Sequence, residues 1–122
     1  MANTTTISYV LRIGIAFAFL YPPIAAFLDP AGWIWFVPSF IEVLLPRELF
    51  LQLFGVFEIL VALGVLFMKN PTTPAVFAAL TLCAIIILDW SAFDIVFRDI
   101  PILLSAIALI LFERERRRGI PV

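Results

Sequence analysis

The chain has no histidine and only one cysteine, Cys83. Without histidine there is no imidazole to ligate haem or zinc, and no general base that titrates near neutrality. A single cysteine permits neither an internal disulfide nor a thiolate cluster. Two methionines are the remaining soft ligands. A resident metal would therefore rest on carboxylates alone, and none is expected. Charge is scarce too, at 14% of residues, against about a quarter in soluble domains. The net charge of −1 leaves no basic footprint for nucleic acid.

Apolar residues are in excess. They make up 64% of the 122 residues, and the mean hydropathy is +1.14. Soluble domains run nearer 45–50% apolar. A chain of this length makes one domain, with too little interior to hide so much apolar surface from water. A bilayer removes the difficulty by acting as the solvent. The expected fold class is all-α: an integral membrane four-helix bundle, with a short interfacial loop or helix between spans 1 and 2.

The opening MANTTTISYV has no cationic stretch and no small-residue cleavage site, so it reads as mature protein and not as a signal peptide. Thr4, Thr5 and Thr6 are candidate N-caps. The first expected span covers residues 7–28, and Pro22 and Pro23 should kink or finish it. Residues 29–47, DPAGWIWFVPSFIEVLLPR, hold three prolines, a glycine and two tryptophans, which argues against a straight span. Ser39 and Glu42 have the spacing of a capping box for a short helix ended by Pro46. Trp33, Trp35 and Phe36 suit a loop in the headgroup zone. The alternative is a hairpin folded into the protein, which lipid permits only when protein covers it.

The second expected span is 48–68, with Glu58 inside it. KNPTTP makes a tight polar turn. The third span is 74–92, with Asp89 near its end. A fourth span starting only at Ile100 would hold ~13 apolar residues, roughly 20 Å of helix, too short to cross. It is therefore expected at 94–113, carrying Arg98 and Asp99 below the interface. Ser91 and Asp94 repeat the capping-box spacing, and Asp94 with Arg98 forms an i,i+4 pair. Pro101 would bend this helix. The basic tail, 114–122, is too charged to stay in lipid.

Four spans put both termini on one side, together with Arg12, Lys69, Arg114, Arg116, Arg117 and Arg118. The other side holds Arg47 and Arg98. The richer side should be cytoplasmic, which makes this a multi-pass plasma-membrane protein with both ends inside. Tyr21, Trp33, Trp35 and Trp90 anchor the outer face, and Tyr9 the inner.

Six ionisable residues fall at membrane depth: Arg12, Glu58, Asp89, Asp94, Arg98 and Asp99. Each costs about 2.5–3.5 kcal/mol near a span centre unless paired or hydrated. Gly55, Glu58 and Ala62 share a face, so Glu58 should point into the bundle, where small residues let helices approach. The outward lean of Arg98 makes it the preferred partner for Glu58, with Arg12 second. Asp89, Asp94, Arg98 and Asp99 gather at the outer end, with Tyr21 and Glu42 near. Two readings are open: an ion-pair network that fixes helix order, or a site for a quinone head group, a small reductant or a proton. Ala75, Ala79 and Cys83 form a small-residue packing stripe in which Cys83 is a buried hydrophobe.

LRIGIAFAFLYPPI with its early arginine, DPAGWIWFVPSF in the first outer loop, LFGVFEILVALGVLF with its glutamate, and DIVFRDIPILLSAIALIL with Arg-Asp opening the fourth span resemble the DoxX-like membrane protein family over nearly the whole chain. The resemblance implies a four-helix membrane fold. Some members of that family are subunits of thiosulfate:quinone oxidoreductases, and others associate with membrane redox or sulfur-oxidant defence complexes. Arg12, Glu58, Arg98 and Asp99 are the positions carried over. Tyr21, Pro22 and Pro23 stand where the family more often has a polar turn with a lysine. The leading expectation is a membrane subunit of a redox complex that binds a quinone non-covalently, or a soluble oxidoreductase or sulfurtransferase partner. The alternatives are a small proton-coupled multidrug-type transporter, working with a second copy of the chain, and a structural membrane protein without a ligand.

Overall fold

A computed structural model describes residues 3–119. Residues 120–122, the end of the expected tail, lie outside the described part. In chain order the helices are α1 (Thr4–Leu28), a single turn α2 (Pro30–Trp33), α3 (Arg47–Phe67), α4 (Thr72–Leu88), a single turn α5 (Phe93–Val96) and α6 (Asp99–Arg117). Short 3-10 turns cover Ile34–Phe36, Ser39–Val43 and Trp90–Ala92. No strand occurs among the described residues.

The apolar runs account for the four long helices. α1 packs chiefly on α3 and α4 on α6, while α1 also meets α6 and α3 meets α4, so each long helix has two principal neighbours. The core between them is built from Ile15 and Phe19 of α1, Ala62 and Val65 of α3, Ala78 of α4 and Leu109 of α6. Small residues set the spacing. A Cβ on Gly55 would stand 3.2 Å from the Pro23 Cβ, and one on Gly64 would stand 3.0 Å from the Pro74 Cβ. Gly55, Glu58 and Ala62 are all buried on one face of α3.

Large apolar side chains cover the outside of the molecule. Phe17, Leu60, Phe67, Leu80, Ile87 and Leu104 are each more than half exposed. Two helices, α1 and α3, are long and apolar enough to cross a membrane. A third span exists if α4 and the segment Trp90–Val96, bent from it by 85°, count together.

Several local expectations are corrected. The N-cap of α1 is Asn3, whose Oδ1 accepts from the Thr6 N–H at 2.8 Å, and not a threonine. α1 runs through Pro22 and Pro23 to Leu28. Neither capping box forms: the turns at Ser39 and at Phe93 have no side-chain cap. α4 ends at Leu88, short of residue 92. The continuous helix expected from residue 94 is interrupted, because α5 stops at Val96 and α6 starts at Asp99. Cys83 is half-buried and not enclosed. The buried line on α4 runs through Ala75, Ala78 and Leu82, so the stripe is displaced by about one residue.

Candidate functional site

A cavity of about 390 Å³ opens between α1, α3, α4 and α6 at the end where the residue 29–46 connection returns. That volume falls in the range of small-molecule sites, about 300–1,000 Å³. Its walls are largely apolar and aromatic, with Phe19, Phe50, Phe54 and Ile102 among them. The connection itself supplies Trp33, Phe36, Val37 and Pro38. It therefore folds back onto the protein.

The fold of that connection has local causes. Pro30 starts α2, and the Trp35 indole N–H donates to the Gly32 carbonyl at 2.9 Å. Trp33 and Phe36 stack at 5.7 Å, and Tyr21 meets the edge of Trp33 at 6.4 Å. Arg47, at the start of α3, holds the segment. Its Nη2 donates to the Ile34 and Val37 carbonyls at 3.1 and 3.0 Å, and its Nη1 lies 3.5 Å from Glu42. Val37 is 3% exposed as a result.

Three carboxylates line the cavity: Glu58 from mid-α3, Asp89 at the end of α4 and Asp99 at the start of α6. Among the described residues no arginine or lysine lines it. Among the described residues Glu58 makes no ion pair, so the expected partnership with an arginine is corrected. Arg98 is exposed and donates from Nε to the Ile95 carbonyl at 3.3 Å. The break between α5 and α6 puts it outside the cavity wall. Asp94 is exposed, and among the described residues it forms no pair with Arg98.

Arg12 belongs to the opposite end of the molecule. It is 2% exposed. Its Nε donates to the Val65 carbonyl at 2.6 Å, and its Nη2 donates to those of Leu66, at 3.1 Å, and Met68. Val65 and Leu66 belong to the last turn of α3 and Met68 is its C-cap, so these carbonyls lack donors within the helix. The Tyr9 ring lies 4.5 Å from the guanidinium carbon. Close by, Ser8 donates to the fully buried Glu113 at 2.6 Å. Arg116 and Arg117 approach the other oxygen of Glu113 at 3.5 and 3.7 Å. Arg117 also donates to the Lys69 carbonyl at 2.6 Å.

Of the six expected residues, Glu58, Asp89 and Asp99 thus come together, while Arg12, Asp94 and Arg98 lie elsewhere. Glu113, Arg47, Trp33 and Phe36 carry more than their sequence context suggested. For Glu113 a signal existed: Ala106, Leu109 and Glu113 sit at i, i+3 and i+7, one helical face. Among the described residues no three carboxylates or thiols stand close enough to hold a metal ion. Set beside known protein families, curated proteins and solved structures, the chain matches none.

Proposed function

We propose that the chain is a four-span integral membrane protein, DoxX-like in kind, with both ends in the cytoplasm, and that its cavity binds a flat, largely apolar molecule, a quinone-type head group, as the ligand-binding subunit of a membrane redox complex. The observation that carries this reading is the cavity itself: largely apolar and aromatic-walled, with Glu58, Asp89 and Asp99 in its lining. The many exposed large apolar side chains support immersion in lipid, because water penalises apolar surface. A quinone-type ligand supplies two-electron chemistry coupled to protons. Glu58, Asp89 and Asp99, all in the cavity wall, would hand protons to the ligand as the partner's electrons reduce it. Electrons would come from a soluble oxidoreductase or sulfurtransferase partner.

A photoreactive quinone analogue tests this. It should label peptides containing Trp33 or Phe54, and excess unlabelled analogue should compete. Labelling confined to the outer apolar surface would remove the reading.

A specific observation favours a second reading. A proton-coupled exporter needs a carboxylate free to gain and lose a proton, and Glu58 has no arginine beside it. Proton release on adding a cationic drug, abolished by Glu58→Gln, would replace the redox reading with a multidrug-type transporter.

A further inference from the structure

The cavity wall is closed except along one helix. Among the described residues that line it, three are exposed: Leu80, Ala84 and Leu88, all on α4. They recur at i, i+4 and i+8, one helical face, and Leu80 and Leu88 are 62% and 52% exposed. The lining residues from α1, α3, α6 and the connection are buried or half-buried. A side chain can line a cavity and stand exposed only where the wall meets the outer surface. The cavity therefore opens sideways along α4. It does not open through the connection, where Trp33, Phe36 and Pro38 are half-buried and Val37 is buried.

The opening lies between α3 and α4. These helices meet near the turn that joins them, where a Cβ on Gly64 would stand 3.0 Å from the Pro74 Cβ. They meet again where the Phe57 and Phe77 rings pack edge to face at 6.4 Å. Beyond that pair both helices become cavity wall, with Phe50 and Phe54 facing in from α3 and the exposed face of α4 opposite. The Phe50, Phe54 and Phe57 rings follow one another at 5.9 and 6.0 Å, and α4 contains no charged residue. The edge of the opening is thus aromatic and aliphatic, which suits a solute dissolved in lipid and gives an ion from water no partner. The cavity itself, about 390 Å³, is near the low end of small-molecule sites and has room for a ring-sized head group but not for a long chain as well. We infer that the cavity is loaded sideways from the bilayer, and that its ligand carries an apolar tail that lies in the gap between α3 and α4 while the head group sits inside. This inference rests on the four-span, quinone-type reading and adds the route of entry and the tail.

The test is equilibrium binding to the full chain in lipid nanodiscs, with ligand concentration expressed per lipid so that partition into the bilayer cancels. The probes are a decyl-substituted benzoquinone and the same ring with a methyl group in place of the decyl chain. In the unaltered chain the two should bind within about threefold of each other, because lipid and an apolar gap are similar solvents for a tail. Ala84→Trp, and separately Leu80→Trp, put bulk into the gap. Each should weaken the decyl probe at least ~10-fold relative to the methyl probe, since forcing extra atoms into a filled space is costly. Leu104→Trp, on an exposed position of α6 outside the cavity wall, should leave the ratio unchanged. Decyl binding weaker than methyl binding by more than about threefold in the unaltered chain would mean that the gap admits no tail, and would overturn the inference while the quinone-type site stands. An unchanged ratio in both Ala84→Trp and Leu80→Trp would overturn it in the same way. Binding of neither probe above empty nanodiscs would remove the quinone-type site and the inference with it.

Discussion

Ser8 and Glu113, 105 positions apart in the chain, are joined by a 2.6 Å hydrogen bond that ties the start of α1 to the last turns of α6. Under the proposed four-span reading, the bond bears on how α6 would sit in a membrane. Its uncharged stretch, 100–112, is ~13 residues, roughly 20 Å. Burying Glu113 against α1 extends the protein-covered length, while Arg116 and Arg117 place countercharges beside it from the next turn. In the proposed four-span arrangement their long stems would let the guanidinium groups reach the headgroup zone.

Ser8→Ala should therefore destabilise the protein although it removes a single oxygen. Glu113 Oε1 would lose its donor at a fully buried position, a cost of about 1–3 kcal/mol. A cycle with Glu113→Gln should show a coupling of roughly 0.5–3 kcal/mol in denaturant unfolding. Additive effects would show that the hydrogen bond contributes nothing to the fold.

Arg12 should resist conservative replacement. Its planar fork serves three carbonyls at the end of α3, and a lysine ammonium cannot reproduce that geometry. Arg12→Lys should cost about 1–3 kcal/mol and Arg12→Ala more, seen as a lower unfolding midpoint. Arg12→Ala combined with Glu58→Gln should be additive within ~0.5 kcal/mol, because the two side chains serve opposite ends of the molecule. Arg98→Ala with Glu58→Gln should be additive too. Coupling in either pair would restore an arginine partner for Glu58.

The contrast between Glu58 and Glu113 shows what the sequence could and could not disclose. Glu58 interrupts an apolar run, and periodicity with Gly55 and Ala62 placed it on the buried face of α3. Glu113 sits at the edge of ERERRRGIPV, where composition signals solvent and masks the i, i+3, i+7 register with Ala106 and Leu109. The long helices follow from apolar runs and from breakers such as KNPTTP. The partner of Glu58 did not follow, because the argument for Arg98 assumed an unbroken helix from residue 94. The interruption at Phe97–Arg98 lies one turn before Pro101, which has no N–H for the Phe97 carbonyl, so the proline expected to bend this helix breaks it instead. The convergence of Glu58, Asp89 and Asp99 depends on how a connection rich in Pro and Trp returns over the helices, and no local period encodes that.

Arg47 latches that connection. Arg47→Ala removes donors from the Ile34 and Val37 carbonyls. Hydrogen exchange should then accelerate for amides in residues 34–44, while protection in the middle of α1 and α3 stays unchanged. Unchanged exchange in 34–44 would mean that aromatic stacking alone holds the segment.

Two glycines should respond in opposite directions to alanine. The Cβ of Gly64→Ala would press on the Pro74 ring at 3.0 Å, and a proline on the neighbouring helix cannot swing aside. Destabilisation of about 1–3 kcal/mol is expected. A Cβ on Gly14 meets nothing within 4 Å. Gly14→Ala should stabilise α1 by up to ~1 kcal/mol through its higher helix propensity. Matching unfolding midpoints for the two variants would contradict the packing described between α3 and α4.

Topology can be checked without any ligand. The start of α1, the end of α3 and the end of α6 meet at one end, through Arg12 with the Met68 carbonyl, Ser8 with Glu113, and Arg117 with the Lys69 carbonyl. Arg12, Lys69, Arg114, Arg116, Arg117 and Arg118 concentrate there, whereas Arg47 and Arg98 belong to the other half. Because basic residues are retained on the cytoplasmic side, reporters fused after Val122 or inserted at residues 69–73 should read inside. One inserted at residues 33–36 should read outside. The weak point is α6, whose apolar stretch falls short of a bilayer by roughly 10 Å. If α6 did not cross, the C-terminal reporter would read outside while the loop at 69–73 still read inside. The Ser8–Glu113 bond forbids that arrangement, since it needs the start of α1 and the end of α6 on one face. Reversing charge at Arg116 and Arg117 together should weaken the inside reading of the C-terminus. Adding Ser8→Ala should weaken it further, because the pull of the basic residues and the grip on Glu113 act on the same turn of helix.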